Sequence, residues 1–387
     1  MTGPSLTHRN QGDNLLYIVI GEIVRAHYGG NVDLIAFSAT DEPERITSQA
    51  PWLTIVNPRE KPLRALSVLI SMDVYLIAGA IPFHDNVRLM LQQFLFALIV
   101  KLRRGRFIVN AVSIQPIRRS ICRWLFRWTA QLADGFTVRD AAAQALAATL
   151  GARAPVRRAV DPGILCKPAP TDVVDRIWKS EALPTGVPVC GIGPHVFVNR
   201  AGYFDSRYEF SIEYEDFPDE ELDSYYASMA ATADALSSRG PVIFLPLSTR
   251  MPPGDDRQAC EWIVSRMKHP ERAHIVRGEY SVAELMGLIG RLDNYVSTRL
   301  HGYALAVGAG VPTIAIEFHP KMRGLAEELD IEDWVVPFRG ITGHAVTTVS
   351  ASILEDLEAS RLRLNRNLRA ATGRAIEQIA AALPAGK

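Results

Sequence analysis

Asp293-Asn294-Tyr295-Val296-Ser297-Thr298-Arg299-Leu300-His301-Gly302 reads as a strand, a tight turn and the start of a helix. Tyr295 to Ser297 is a short β-rich run, Tyr303 to Ala309 a helix of small residues, and Gly310 a helix stop. Val311-Pro312 then leads into a second apolar strand, Thr313 to Ile316. Arg299 and His301 therefore fall between a strand end and a helix start. In an open parallel sheet ligands bind at that edge, and a helix N-terminus adds unpaired amides with partial positive charge. A cation, an imidazole and free amides there suit an anionic substrate. The second strand runs out into Glu317-Phe318-His319-Pro320-Lys321. If the two strands are parallel, that exit shares the edge and Lys321 faces Arg299 as a second cation.

Around this stretch Arg299-Leu300-His301-Gly302 follows a strand, Ala309-Gly310-Val311-Pro312 precedes the next, and His319-Pro320-Lys321-Met322-Arg323-Gly324-Leu325-Ala326-Glu327-Glu328-Leu329 comes after it. The combination resembles the signature of the polysaccharide pyruvyl transferase family. Spread in one order between Tyr280 and Trp334, it is far more specific than a lone short motif. That family moves pyruvate from phosphoenolpyruvate onto a sugar as a ketal. The resemblance implies an α/β fold of two Rossmann-like domains with parallel sheets facing across a cleft, as in GT-B glycosyltransferases. It also implies a transferase of polysaccharide or exopolysaccharide biosynthesis, with phosphoenolpyruvate as co-substrate and a saccharide as acceptor.

At 387 residues the chain is too long for one ordinary core and suits two α/β domains. With 48% apolar and 22% charged residues it reads as globular rather than disordered. Lys plus Arg equals Asp plus Glu, at 42 each, so no global field favours nucleic acid and any anion site must be local. Cys122, Cys166, Cys190 and Cys260 lack Cys-x-x-Cys spacing and form neither a zinc knuckle nor a disulfide framework. No carboxylate or histidine cluster has metal-ligand spacing, so no obligatory metal is expected. Met1 to Asn10 has no apolar signal core, and no run is long enough to span a membrane. The cytoplasm is the expected compartment, with the inner face of the membrane as an alternative.

The chain opens on a polar loop, Thr2 to Asp13, that runs into a helix from Asn14 to Tyr28. Gly12 can be a turn glycine and Asp13 a helix cap. The resemblance, in which Asn-x-Gly-Asp recurs at a first helix, implies instead that Asn10 and Asp13 line the acceptor side. Relatives usually begin with an apolar strand before this loop, whereas Met1 stands almost directly on it, so either that strand is missing or the start lies upstream. Strands and helices then alternate through Val74 to Gly79, which argues for a parallel sheet with helices on both faces. After that strand, His84 and Asp85 can orient a sugar hydroxyl or accept its proton, or else cap a turn before the helix near Val87. Relatives often carry two glycines where Gly79-Ala80 stands here. Arg139-Asp140 reads as a strand-to-helix cap first and a site second.

The helix from Val87 to Leu102 ends in Lys101, Arg103 and Arg104, and the next carries Arg118, Arg119, Arg123 and Arg127 among Trp124, Phe126 and Trp128. Basic-aromatic helices can make peripheral contact with anionic membranes. The more ordinary reading is a layer helix that buries its aromatics and snorkels its arginines.

Proline crowding from Asp161 to Pro188 suggests a linker. The expected domains are residues 1–165, on the acceptor side; a linker, 166–186; residues 187–350, on the phosphoenolpyruvate side; and C-terminal helices, 351–387, packing back on the first domain. In the second domain relatives often carry an arginine soon after the first strand. Here Arg200 or Arg207 takes that role. Ser248 and Arg250 follow the strand Val242 to Pro246 as lining residues, although some relatives place histidine where Leu247 stands. Asp255-Asp256 opens the next helix, as carboxylates at a helix start should.

Phosphoenolpyruvate carries a carboxylate and a phosphate, so it needs two cations or helix ends, and its methylene must be protonated by an acid of near-neutral pKa. Arg299 is the expected clamp, His301 the proton-transfer group, Lys321 the phosphate partner and His319 a second acid-base candidate. A GT-B nucleotide-sugar glycosyltransferase and a non-catalytic glycan-binding relative remain alternatives, because fold does not fix the donor.

Overall fold

A computed structural model of the chain describes residues 1–2, 11–38, 40, 43–152, 155–197, 217–249 and 254–384, without the side chains of Asp13 and Arg45. The first half alternates α1 (Gln11–His27), β1 (Leu34–Phe37), α2 (Pro43–Thr47), β2 (Leu53–Val56), α3 (Pro62–Ser71) and β3 (Val74–Ala78). It continues through α4 (Val87–Leu102), β4 (Arg106–Val112), α5 (Ser120–Leu132), β5 (Gly135–Val138), α6 (Ala141–Thr149) and β6 (Val156–Arg158). Helix α7 (Thr171–Ser180) leads into β7 (Cys190–Gly193), α8 (Asp219–Ser237), β8 (Val242–Phe244), α9 (Asp256–Val264) and β9 (Ala273–Ile275). Then come α10 (Val282–Ile289), β10 (Asn294–Ser297), α11 (Leu300–Gly308), β11 (Thr313–Glu317), α12 (Pro320–Glu328), β12 (Val335–Pro337), α13 (Gly343–Glu355) and α14 (Leu357–Ala382).

In the first half β3, β4, β5 and β6 form a parallel sheet in that order, with β1 and β2 as a parallel pair beside it. Met1 and Thr2 lie between the two. The Phe37 amide donates to the Met1 carbonyl, the Thr2 amide to the Leu76 carbonyl and the Ala78 amide to the Thr2 carbonyl. Those two residues thus occupy the place where an apolar strand ahead of the first loop was expected. From β2 onward the chain steps in one direction along the sheet. Right-handed connections therefore set α3, α4 and α5 side by side on one face, while α1 covers the other.

The second sheet is parallel throughout, in the order β12-β11-β10-β7-β8-β9. β10 sits in its middle, buried on both faces, which is why Asn294 to Ser297 carries no alternating polar pattern. Its Tyr295 lies over the next strand. A Cβ at Gly193 would stand 1.9 Å from the Tyr295 hydroxyl oxygen, so β7 ends in glycine to admit that ring. The two sheets make an α/β fold of two Rossmann-like halves.

Residues 166–186 are more than a tether. Val174, Ile177 and Trp178 of α7 pack with Val282, Leu285 and Met286 of α10. Helix α14, 26 residues and about 39 Å long, belongs to both halves. Leu364, Ala371 and Ala375 join the core of the second sheet, whereas Ile379 packs with Tyr17, Ile20 and Leu34. Helix α1 likewise buries Leu15 and Val19 against the second half. The carboxyl ends of both sheets meet in the cleft between them.

Candidate active site

Helix α11 begins three residues earlier than its small-residue run suggests. The Tyr303 amide already donates to the Arg299 carbonyl, at 2.9 Å, so Arg299 is the N-cap and His301 lies in the first turn. The Arg299 guanidinium reaches sideways and donates from Nη2 to Asp256 Oδ1 at 2.6 Å. Asp256 is fully buried and also accepts the amides of Val196, at 3.1 Å, and Ser248, at 2.9 Å. One carboxylate thereby ties together the exits of β7, β8 and β10. A buried carboxylate with two amides and one guanidinium holds that guanidinium in a fixed orientation.

His301 meets the first half of the chain directly. A Cβ at Gly12 would lie 2.2 Å from His301 Nδ1, so the first turn of α1 rests on the imidazole. The Gln11 amide also donates to the Leu247 carbonyl, at 3.4 Å, across the cleft. His301 Nε2 is shut off from water and has no hydrogen-bond partner among the described residues. Burial, against the opposing pull of Asp161, pushes the His301 pKa down to about 3, with Arg139, Lys321 and Arg299 adding to the fall. The free site therefore holds a neutral imidazole with one nitrogen waiting for a partner.

Asp161 and Arg139 form a buried ion pair at 2.9 Å, each side chain 2% exposed. Arg139 Nε donates to Ser113 Oγ, and Nη2 donates to the Ala80 carbonyl, which knits the ends of β3, β4 and β5. Burial opposes ionisation of Asp161, yet the Arg139 guanidinium, with the Gly163 amide, holds its pKa below the usual carboxylate value. Asp140, next in sequence, is the cap: its Oδ1 accepts the Ala143 amide at 2.6 Å. Arg139 belongs instead to the floor of the cleft. A Cβ at Gly324 would stand 2.7 Å from the Arg139 carbonyl, so α12 docks there backbone to backbone.

Helix α12 brings His319 and Lys321 to the same place. His319 is its N-cap, and its Nδ1 accepts the Lys321 amide at 3.3 Å, which requires the neutral ring. Burial first, then Lys321 and Arg139, pushes its pKa to about 3. A third imidazole, His195, stands at the exit of β7, stacked on Phe197 with its Nδ1 2.6 Å from the Val196 carbonyl. Burial, with Arg299 next, holds its pKa well below the usual histidine value. Three cations, Arg299 and Arg139 held by Asp256 and Asp161 and Lys321 beyond them, thus line with three neutral imidazoles one cleft whose rim carries the N-termini of α1, α11 and α12. Such a site favours an anion.

The remaining candidates are placed as follows. Ser248 is buried, and its hydroxyl donates to the Gly254 carbonyl at 2.9 Å, so it shapes the turn that holds Asp256. His84 is buried beside the Ile81 carbonyl, at 3.1 Å from Nδ1, with no partner at Nε2 among the described residues. Asp85 is a brace: its carboxylate accepts the amides of Arg118 and Arg119 at the start of α5. The acceptor role expected of Asp85 has no geometric support, because both oxygens already satisfy backbone donors. Leu247, where relatives can have histidine, is buried beneath Gly302. Asn10, Arg200, Arg207 and Arg250, and the side chain of Asp13, lie outside the described residues.

A family model described as polysaccharide pyruvyl transferase matches residues 10–320, four-fifths of the chain, and the match takes in Arg139, Asp161, His195, Asp256, Arg299, His301 and His319. The chain belongs to the polysaccharide pyruvyl transferase family. It is thus a transferase of polysaccharide biosynthesis. Its fold is similar to that of a UDP-GlcNAc 2-epimerase from Neisseria meningitidis, bound to UDP-GlcNAc, with a TM-score of 0.58 and 10% identity over 99% of each chain. A glycosyltransferase from Rickettsia africae ESF-5 aligns at TM-score 0.58 and 10% identity, covering 98% of this chain and 95% of that one. A sucrose-phosphate synthase from Thermosynechococcus elongatus aligns at 0.57 and 15%, covering 98% and 96%. At such identities the likeness shows the fold alone, the two-domain GT-B architecture.

Within this pyruvyl transferase family member, three features of the cleft escape a reading of the sequence. His195 carries the same signal as His319, a histidine just past a buried strand, and that signal was available. Asp256 reads as a helix-start carboxylate, but Asp255 is the cap, accepting the Arg257 amide, while Asp256 turns inward to Arg299. The Arg139–Asp161 pair joins residues on different strand exits, and only the sheet order β5-β6 brings them together.

Proposed function

We propose that this chain transfers the pyruvyl group of phosphoenolpyruvate onto a sugar of a glycan or lipid-linked saccharide as a cyclic ketal. The observation that carries the reading is the gathering of Arg299, Lys321 and Arg139 around the neutral rings of His301 and His319. A carboxylate and a phosphate, close together on a small molecule, match two cations and the amides of facing helix starts. In this reading Arg299, set by Asp256, clamps the donor and Lys321 balances its phosphate. The donor's negative charge reverses the local field at His301, raises its pKa from about 3 toward neutrality and lets the ring take up a proton.

That proton passes to the methylene carbon, which becomes a methyl group and leaves the adjacent carbon electrophilic. One sugar hydroxyl adds there and gives up its proton. The carbon–oxygen bond to phosphate breaks with its electron pair on phosphate, and the second hydroxyl closes the ketal as its proton leaves. The hydroxyls release two protons and the methylene gains one, so the remaining proton departs with phosphate. The scheme calls for no further cofactor. Asn10, Asp13 and His84 serve the acceptor in this reading.

The test is release of phosphate from phosphoenolpyruvate in the presence of a panel of candidate glycans, with the ketal identified in the product. Acceptor-dependent release supports the proposal. Transfer from a nucleotide sugar, with indifference to phosphoenolpyruvate, overturns it in favour of a glycosyltransferase. Ligand binding without any turnover overturns it in favour of a non-catalytic relative.

A further inference from the structure

Thirteen large hydrophobic side chains are exposed among the described residues, and nine of them stand on three neighbouring helices, α3, α4 and α5. On α3 the exposed stripe is Leu63, Leu66 and Ile70, spaced for one helical face. Leu91, Leu95 and Leu102 make the matching stripe on α4, Leu102 being 74% exposed. On α5 it is Ile121, Trp124 and Trp128, the two indoles 49% and 44% exposed. The opposite sides of α4 and α5 are buried through Met90, Ala97, Leu125 and Phe126, so these helices are apolar on both faces. Phe94, Trp124 and Trp128 are in ring contact, which joins the stripes of α4 and α5. The expectation that the aromatics of α5 all turn inward is therefore corrected: Phe126 does, the tryptophans do not.

The same layer is strongly basic in a chain with no net charge. From Arg59 to Asp134 stand twelve Lys and Arg against four Asp and Glu. Arg64, Arg88, Arg118, Arg119, Arg123 and Arg127 are exposed on the three helices and their approaches. Of the four carboxylates, Asp134 pairs with Lys101 and Asp85 accepts backbone amides. We infer that the outer face of α3, α4 and α5 docks on the surface of an anionic lipid bilayer, with the tryptophans and leucines in the interface and the arginines on lipid phosphates.

An apolar face of this size needs a cover. A second copy of the chain would set this positive layer against itself, whereas an anionic lipid surface complements it. Tryptophan and arginine are the residue types that suit a headgroup boundary. No helix among the described residues is long and apolar enough to cross a membrane, so the contact is peripheral. Helices α4 and α5 begin at the carboxyl ends of β3 and β4, the edge that supplies Ala80 and Ser113 to the cleft. The docked face therefore runs up to the cleft mouth. Resting on the proposed pyruvyl transfer, this geometry names the acceptor class: a saccharide whose lipid end stays in the bilayer while its sugar enters the cleft.

The experiment is co-sedimentation of the full chain with vesicles of phosphatidylcholine, alone or with roughly a third phosphatidylglycerol, at low salt and at about 0.5 M salt. No phosphoenolpyruvate is present, so the result is independent of the donor reading. Binding to the anionic vesicles at least tenfold stronger than to the zwitterionic ones, weakened by salt, with a blue shift of tryptophan emission, is expected. Trp124→Ser with Trp128→Ser, and separately Arg119→Glu with Arg123→Glu, should each lower it at least tenfold while circular dichroism and the melting temperature stay near wild type. Absence of vesicle binding overturns the inference, as does equal binding to both vesicle types. Unchanged binding by both double variants overturns the assignment to this face. Self-association abolished by the tryptophan variant, without lipid binding, assigns the face to a second copy instead.

Discussion

Arg299 Nη2 and Asp256 Oδ1 lie 2.6 Å apart, and the carboxylate has no exposure to solvent at all. On the proposed function, the pair couples donor binding to stability. Arg299→Ala leaves a buried carboxylate without its cation, which typically costs about 3–5 kcal/mol, softened here by the two amides that remain. The same change should weaken phosphoenolpyruvate binding by about 2–5 kcal/mol, the usual loss when one partner of a desolvated charge pair is truncated. Asp256→Asn keeps the shape but sets an NH2 against a buried N–H donor, so it should lower stability as well as weaken donor binding roughly tenfold, a shift of about 1.4 kcal/mol, because the guanidinium is no longer aimed. Calorimetric titration with phosphoenolpyruvate and urea unfolding measure the two effects. An Arg299→Ala protein as stable as wild type would show that Asp256 does not depend on it.

His195, His301 and His319 are all held neutral, the last two with pKa values near 3. Unfolding releases these rings to water, where they take up protons below about pH 6.5. Their contribution is therefore complete above that pH and is lost as pH falls toward the folded values. Stability should decline between pH 6.5 and 5, above the carboxylate range, by up to about 1.4 kcal/mol per pH unit for each histidine. Burial lowers His84 as well, so His319→Asn, which keeps an N-cap but removes one titration, should have a slope shallower by roughly a quarter to a third. Urea unfolding at three pH values decides it. An unchanged slope would mean that His319 is not held neutral.

Gly12 tests how closely the two halves must fit. A Cβ there would stand 2.2 Å from His301 Nδ1, so Gly12→Ala must push the imidazole aside. Overpacking of this kind costs about 1–3 kcal/mol. The sharper outcome is kinetic: kcat should fall at least tenfold with donor affinity little changed, since Arg299 and Lys321 stay in place. A variant with wild-type kcat would remove Gly12 from the account of the site.

Ala80 takes φ +64°, as Gly79 does at φ +63°, and its carbonyl accepts the Ser113 amide and Arg139 Nη2. The two-glycine pattern of relatives is thus kept in conformation although the second residue is alanine. A non-glycine residue in the left-handed region carries roughly 1–2 kcal/mol of strain. Ala80→Gly relieves it and gives back about 0.4–1 kcal/mol through the freer unfolded chain. Thermal unfolding should show a small net gain in stability, and a loss would mean the alanine methyl makes compensating contacts.

The stretch from Asn294 to Lys321 was legible because its signals are local. A buried β run, a glycine stop and a proline start punctuate it, and parallel pairing of β10 with β11 does the rest. Arg299, His301 and Lys321 follow from that alone. Asp256 was not legible as a partner of Arg299, since 43 positions separate them and its neighbour Asp255 satisfies the same capping rule. Nor were the Gly12–His301 and Gly324–Arg139 contacts, which depend on how one half is seated on the other. Asp85 misleads for the opposite reason. A carboxylate beside a histidine at a strand exit looks catalytic until its oxygens are traced to the amides of α5.

His301 carries the chemistry of the proposal, and its protonation can be read apart from turnover. In the free site its pKa is near 3 and Nε2 has no partner among the described residues, so at pH 6.5 the ring is neutral. Bringing a carboxylate and a phosphate beside it raises the pKa, because nearby negative charge favours the imidazolium. Donor binding at pH 6.5 should then take up close to one proton, seen as a dependence of the calorimetric enthalpy on the ionisation enthalpy of the buffer. His319 does not supply that proton site, since its Nδ1 is occupied by the Lys321 amide. His301→Gln should bind phosphoenolpyruvate with nearly unchanged affinity but without the uptake. It should also turn over roughly a hundredfold more slowly or worse, the usual worth of a positioned acid-base group. Wild-type binding without proton uptake, or a His301→Gln enzyme at the wild-type rate, would take the proton transfer away from His301.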